Sequence, residues 1–326
     1  MEKVRIGFIG VGGIAGAHLN ILSKMEDVEI KAICDINPQT LKRRAEEFGV
    51  QACYEDYREM LDKEELDAVY ICVPPFAHAD MEERAAEKGL HMFIEKPVEL
   101  RMENAIRKHE AIKKAGVIAS VGYCARYLDI SDKVRELLKD RTVELVLGYF
   151  MGGAPGTPWW RQRDKSGGQL VEQTTHMVDI ARFFVGDVEA VNGAFVALTK
   201  PSPDWTIDNA SVVTLYFESG AIGAITSACM LGQGFKTGLD LFARDFIVEF
   251  TYGGIRIREP GSPPQEIKAG VNMYYEENRA FIDAVKTGDR SLIRSPYEDA
   301  VKTLEVTLAA DISARERRVV ELKFKG

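Results

Sequence analysis

A chain of 326 residues is long enough for one large domain or two ordinary ones, and 46% hydrophobic with 28% charged residues is an ordinary globular composition. The 42 basic and 50 acidic residues leave a net charge of −8, which argues against nucleic acid or an anionic membrane as the main partner. No apolar run is long enough to span a bilayer, a strand pattern begins within a few residues of the start, and the five cysteines lack metal-ligand spacing. The expectation is a protein of the reducing cytoplasm, without a metal, a signal peptide or a membrane segment.

The first element is an apolar, β-branched run, Val4–Ile9, followed by Gly10-Val11-Gly12-Gly13-Ile14-Ala15-Gly16 and a helical pattern through Leu19 and Leu22. A second apolar strand, Val28–Cys34, ends at Asp35. Strand, glycine turn, helix, strand and terminal acid together form a dinucleotide-binding βαβ unit. Gly10 permits the tight turn, at Gly12 the missing side chain lets a pyrophosphate approach the backbone, and Ala15 is small enough for the helix to pack closely on the strand. Ile14 and Ala15 open a helix whose unpaired N–H groups favour phosphate. Asp35 can accept hydrogen bonds from both ribose hydroxyls and would repel a 2′-phosphate, so NAD is expected over NADP. Ile36 and Asn37 offer no phosphate-binding pair, although Lys42, Arg43 and Arg44 follow one turn later.

Strands and helices go on alternating. Asn37-Pro38 opens a helix that stops at Gly49, and a short helix lies between Cys53 and Leu61. Strand Leu66–Val73 is cut off by Pro74-Pro75, and a helix over 78–88 follows. Strand His91–Ile94 runs into Glu95-Lys96-Pro97; helix 102–115 and strand Val117–Val121 end at Gly122-Tyr123. This is the pattern of a doubly wound parallel sheet. After residue 123 the rhythm changes. Helix 129–139 and strand 142–151 lead to a Gly- and Pro-rich loop with Trp159-Trp160-Arg161, then to a regular helix over 169–185. Strands over 189–198, 208–218, 221–230, 238–250 and 253–258 alternate apolar and polar residues, as in an antiparallel sheet with two unlike faces. Helices near 273–286 and 297–314 and strand Val319–Leu322 close the chain. The fold class is α/β, with a dinucleotide-binding domain over 1–123 and a second α/β domain over 124–326.

Ligands of an open parallel sheet bind beyond the carboxyl ends of its strands, where Val73-Pro74 and Glu95-Lys96 fall. Lys96 is the side chain there able to orient a substrate or serve proton chemistry; an ion-paired surface turn accounts for it equally well. On a regular helix Glu172, His176 and Asp179 fall at i, i+4 and i+7, one face carrying carboxylate, imidazole and carboxylate. A salt-bridged helix surface or a core histidine held by an acid would give the same spacing. Trp159 or Trp160 could stack on a sugar ring or simply pack, and Arg126 and Arg161 could bind substrate oxygens or a phosphate or form structural ion pairs.

Taken in order, the glycine fingerprint, Val73-Pro74-Pro75 with His78, Glu95-Lys96-Pro97, Trp160-Arg161, and Gly167-Gly168 with His176-Met177-Val178-Asp179 resemble the motifs of the Gfo/Idh/MocA oxidoreductase family. The resemblance covers nearly the whole chain. It implies a Rossmann domain followed by an α/β domain with an open, largely antiparallel sheet whose exposed face pairs two copies in a homodimer or homotetramer. It places Lys96 beside the nicotinamide, His78 and Glu95 near the cofactor riboses, and Trp160 and Arg161 at the nicotinamide end. It makes His176 the acid/base, with Glu172 where an aspartate is usual. The implied activity is NAD-dependent hydride transfer from a hydroxyl carbon of a sugar, polyol or sugar derivative, with Lys96, Arg126, Trp159, Glu172 and His176 at the substrate. An NAD-dependent glycoside hydrolase and a non-catalytic NAD sensor stay open as alternatives. Pro75, Gln169, Glu172 and Thr174 depart from the family pattern.

Overall fold

Short β-branched runs separated by amphipathic helices favour parallel pairing, because each crossover helix buries one face of the sheet. The computed structural model describes residues 3–325 and divides into two compact units, one formed by residues up to Glu99, Glu103–Tyr127 and Asn272–Glu298, the other by the remainder. The first unit carries β1 (Val4–Ile9), α1 (Gly13–Leu22), β2 (Val28–Cys34), α2 (Pro38–Phe48), β3 (Ala52–Tyr54) and α3 (Tyr57–Lys63). It continues with β4 (Ala68–Ile71), α4 (Met81–Glu87), β5 (His91–Ile94), α5 (Met102–Ala115) and β6 (Ala119–Val121). The six strands lie in the order β3-β2-β1-β4-β5-β6, all parallel. Phe8, Tyr70 and Phe93 stack through the middle of its core, with ring centroids 4.8 Å apart at each step.

The expected division into 1–123 and 124–326 needs one correction. The late helix Met273–Thr287 belongs to the first unit, where Phe281, Ile282 and Ala284 join the core of β1, β4 and β5. Asp27 fastens it, accepting both Arg279 guanidinium nitrogens (3.0 Å each) and the Lys286 ammonium (2.6 Å). Residues 1, 2 and 326, the outer ends of the expected domains, lie outside the described residues.

The second unit is built on α6 (Asp129–Leu138), β7 (Val143–Met151), α7 (Arg163–Ser166), α8 (Thr175–Val185), β8 (Val188–Val196), β9 (Ala210–Phe217) and β10 (Ile222–Ala228). It adds β11 (Lys236–Ala243), β12 (Phe246–Thr251), β13 (Gly254–Arg258) and β14 (Gln265–Lys268). The late helix above is α9; α10 (Tyr297–Glu316) and β15 (Val320–Glu321) follow it. The nine strands run β14-β13-β12-β11-β7-β10-β9-β8-β15, antiparallel throughout except for β7 with β10. The expected single strand over 238–250 is two, β11 and β12, folded back at Arg244-Asp245 with Asp245 at φ 55°. Among the described residues no helix is long and apolar enough to cross a membrane.

Candidate active site

In the first unit, β1, β2, β4 and β5 are neighbours, so the segments leaving them gather along one sheet edge. Gly10 has φ 82°, and a Cβ there would stand 2.7 Å from the Cys72 carbonyl oxygen, so only glycine makes the turn. Gly12 and Gly13 are different: a Cβ on either would meet no protein atom within 4 Å. The start of α1 has no side-chain cap and no acidic residue in its first turn. Its orphan N–H groups and the bare backbone beside them form a cradle suited to a pyrophosphate. Asp35 faces this turn, accepting the Val11 N–H (2.9 Å) and the Asn37 N–H (2.8 Å). From α2, Arg44 crosses the loop and donates to the carbonyls of Val11 and Gly12, both at 3.1 Å. The first unit therefore fits NAD on its own geometry.

Beyond β4, Val73 and Pro74 lead into a turn of 3₁₀ helix, Pro75–Ala77, that delivers His78 to a buried position with Nδ1 2.5 Å from Glu82 Oε1. The expected helix over 78–88 is this turn plus the shorter α4. Beyond β5, Glu95 is held by His18 Nε2 (3.0 Å) and by the Lys96 N–H (3.2 Å), and Lys96 itself is half-buried. A Cβ on Gly122 would stand 2.9 Å from Glu95 Oε1, which explains a glycine at the end of β6. Arg126 is buried and donates to the Arg294 carbonyl, while Arg294 donates to the Arg126 carbonyl, both at 2.8 Å.

Glu277 gave no signal in the sequence. It is fully buried on α9, and neither carboxyl oxygen has a hydrogen-bond partner among the described residues. Burial, then repulsion from Glu95, raises its pKa well above the usual carboxylate range.

In the second unit Gly167 (φ 74°) and Gly168 (φ 91°) turn the chain into the histidine segment. That segment is not one regular helix. Leu170–Thr174 forms a π turn before α8 begins at Thr175. The wider turn breaks the expected i, i+4, i+7 face. Asp179 is 1% exposed and accepts the Thr303 hydroxyl of α10 (3.1 Å), so it is a packing residue. Glu172, within the π turn, accepts Trp160 Nε1 at 2.5 Å, and half-buried His176 sits one turn on. Trp160 is only 1% exposed, packed with Trp205, Ile207 and Cys229, and Trp159 lies partly buried against the same cluster. Arg161 pairs with Asp204 at 2.7 Å. Gln169 donates to the carbonyls of Phe150 (3.2 Å) and Ala228 (3.0 Å), tying the start of the π turn to the ends of β7 and β10.

The nucleotide cradle of the first unit places the chain in a dinucleotide-dependent oxidoreductase class. The chain belongs to the Gfo/Idh/MocA family. Residues 4–123 match its oxidoreductase, NAD-binding Rossmann-fold model, and residues 139–255 match its C-terminal domain. The chain is 28% identical to a myo-inositol 2-dehydrogenase of Thermotoga maritima, covering 98% of this chain and 99% of that one. It is 27% identical to the scyllo-inositol 2-dehydrogenase (NAD(+)) of Bacillus subtilis, covering 99% and 98%. Its fold matches that of a levoglucosan dehydrogenase in complex with NADH with a TM-score of 0.88, at 19% identity over 99% of this chain and 100% of that one.

Proposed function

We propose that the chain oxidises a hydroxyl carbon of a sugar or polyol with NAD, using Lys96, His176 and Glu172. The observation that carries this is the second-unit pair: Glu172 is oriented by Trp160 Nε1 at 2.5 Å, one turn before a half-buried histidine. The two inositol dehydrogenases that match nearly end to end support the substrate class. Gly10, Gly12, Gly13 and Ile14 hold the pyrophosphate, Asp35 the adenosine ribose, and Val73, Pro74, His78 and Glu95 the nicotinamide ribose side. Asp35 favours NAD over NADP, and Arg44, already donating to two loop carbonyls, is not offered to a 2′-phosphate.

NAD supplies the hydride acceptor when bound. His176 takes the hydroxyl proton, since an imidazole titrating near neutrality suits that step. Lys96 donates to the same oxygen and stabilises its developing charge, a contribution of about 2–4 kcal/mol by comparison with oxyanion donors. Glu172 holds a neighbouring substrate hydroxyl, and Trp159 and Arg161 line the substrate end. The test is NADH formation over a panel of inositols and aldoses. His176→Ala and Lys96→Ala should each lower kcat at least ~100-fold, with NAD binding retained in His176→Ala. Turnover persisting in both variants, or hydrolysis of a glycoside without net NADH, overturns the reading.

Two further parts belong to this proposal. The outer face of the nine-stranded sheet pairs two copies of the chain: Val212 and Ile222 are 51% and 49% exposed, and Leu145, Ile222 and Tyr216 lie side by side across three strands. The protein works in the cytoplasm, which the five free cysteines favour.

A further inference from the structure

The first unit buries a cluster of charges that the proposed chemistry does not use. Lys108, on α5, has no exposed surface, and neither has Glu82 on α4. The Lys108 ammonium lies 3.0 Å from Glu82 Oε2 and 2.9 Å from Glu99 Oε1. The other oxygen of Glu82 meets His78 Nδ1. Burial pushes the Lys108 proton affinity down, but the two carboxylates outweigh it and leave the ammonium firmly charged. Burial likewise opposes an ionised Glu82, and His78 and Lys108 together overcome it.

Stability alone gives no reason for such a cluster. Apolar residues of similar volume commonly replace a buried ion triad without loss, because desolvating the charges cancels most of their attraction. What apolar side chains do not supply is direction. Glu99 follows Lys96 by three residues, and His78 follows Pro74-Pro75 by three. A single ammonium thus holds the two segments that leave β4 and β5. With Glu82 on Nδ1, the remaining ring nitrogen of His78, Nε2, is buried and has no hydrogen-bond partner among the described residues. A buried polar atom kept without a protein partner costs free energy, and it points to a ligand atom.

We propose that Lys108, through Glu82 and Glu99, is a positioning residue that fixes the separation of His78 and Lys96 and aims His78 Nε2 at the bound dinucleotide. The proposal rests on the cofactor site above; Lys108 itself touches neither cofactor nor substrate.

The test uses the full chain and the triple variant Glu82→Met, Glu99→Met, Lys108→Met, with Glu82→Gln as a milder second. Thermal melting, NAD affinity by calorimetry and hydrogen exchange are measured for each. The triple variant should melt within a few degrees of the wild type, bind NAD at least tenfold more weakly, and exchange faster over residues 73–80 and 95–100 while the rest of the unit is unchanged. Glu82→Gln, nearly isosteric, should fold and weaken NAD at least threefold. NAD affinity within twofold of the wild type in either folded variant, or unchanged exchange in those two segments, overturns the proposal. A wild-type chain that does not bind NAD overturns the cofactor site instead, and exchange over the two segments still decides whether Lys108 holds them.

Discussion

Gly10 and Gly12 stand two positions apart and are glycine for different reasons. Gly10→Ala puts a methyl 2.7 Å from a backbone oxygen at φ 82°, and should cost about 1–3 kcal/mol of stability. Gly12→Ala meets no protein atom, so melting should stay within about 0.5 kcal/mol of the wild type, while NAD affinity falls at least ~10-fold as the methyl enters the phosphate cradle. Melting and calorimetry on the two variants separate these effects; equal NAD loss without a stability difference would contradict the assignment. Residues of this kind were legible in the sequence because local backbone geometry decides them. The positions of Asp35 and Lys96 just beyond β2 and β5 were legible for the same reason, because a strand ends there. Glu277 and the Trp160–Glu172 bond were not, since their meaning comes from partners that folding brings near, and no spacing rule reports a partner 12 positions back across a loop.

Among elements, the parallel strands read cleanly, because apolar β-branched runs bounded by Gly, Pro and Asp leave few other choices. The histidine segment did not. The spacing predicts a 3.6-residue pattern through 169–185, whereas the π turn at Leu170–Thr174 breaks that face and Asp179 is buried in the core. The break between β11 and β12 was hidden as well, because Arg244-Asp245 carries no Gly or Pro to mark a turn. The spacing near 273–286 predicts helix α9 but not its place in the first unit, which depends on Asp27, far earlier in the chain, meeting Arg279 and Lys286. Hydrogen bonds from Arg279, then Lys286, hold the Asp27 carboxyl far below its ordinary pKa. A depressed carboxylate contributes stability above its unfolded pKa, near 4, and loses it as pH falls toward the folded value. Asp27→Asn should therefore cost about 2 kcal/mol at neutral pH, between exposed and buried ion pairs. The loss relative to wild type should shrink steadily below pH ~4. Melting curves across that range are the check, and a pH-independent difference would remove Asp27 as the clamp.

At the scale of the molecule, half-exposed Val212 and Ile222 lie on one face of the nine-stranded sheet, the face of the proposed interface. Ile222→Asp should convert the proposed oligomer to monomers in light scattering while leaving the far-UV spectrum unchanged. A wild-type chain already monomeric at working concentration would remove that interface. The other large-scale feature is the interleaving of the first unit. Its core includes Phe281 and Ile282, and His18 bonds Asn278 at about 3 Å, 260 positions away in sequence. On the ribosome, the nucleotide-binding half emerges first yet cannot close until residues near 298 have been made. Until then the rings of Tyr70 and Phe93 that Phe281 will cover stay open to water, and the nascent chain carries a sticky half-built core through the synthesis of most of the second unit.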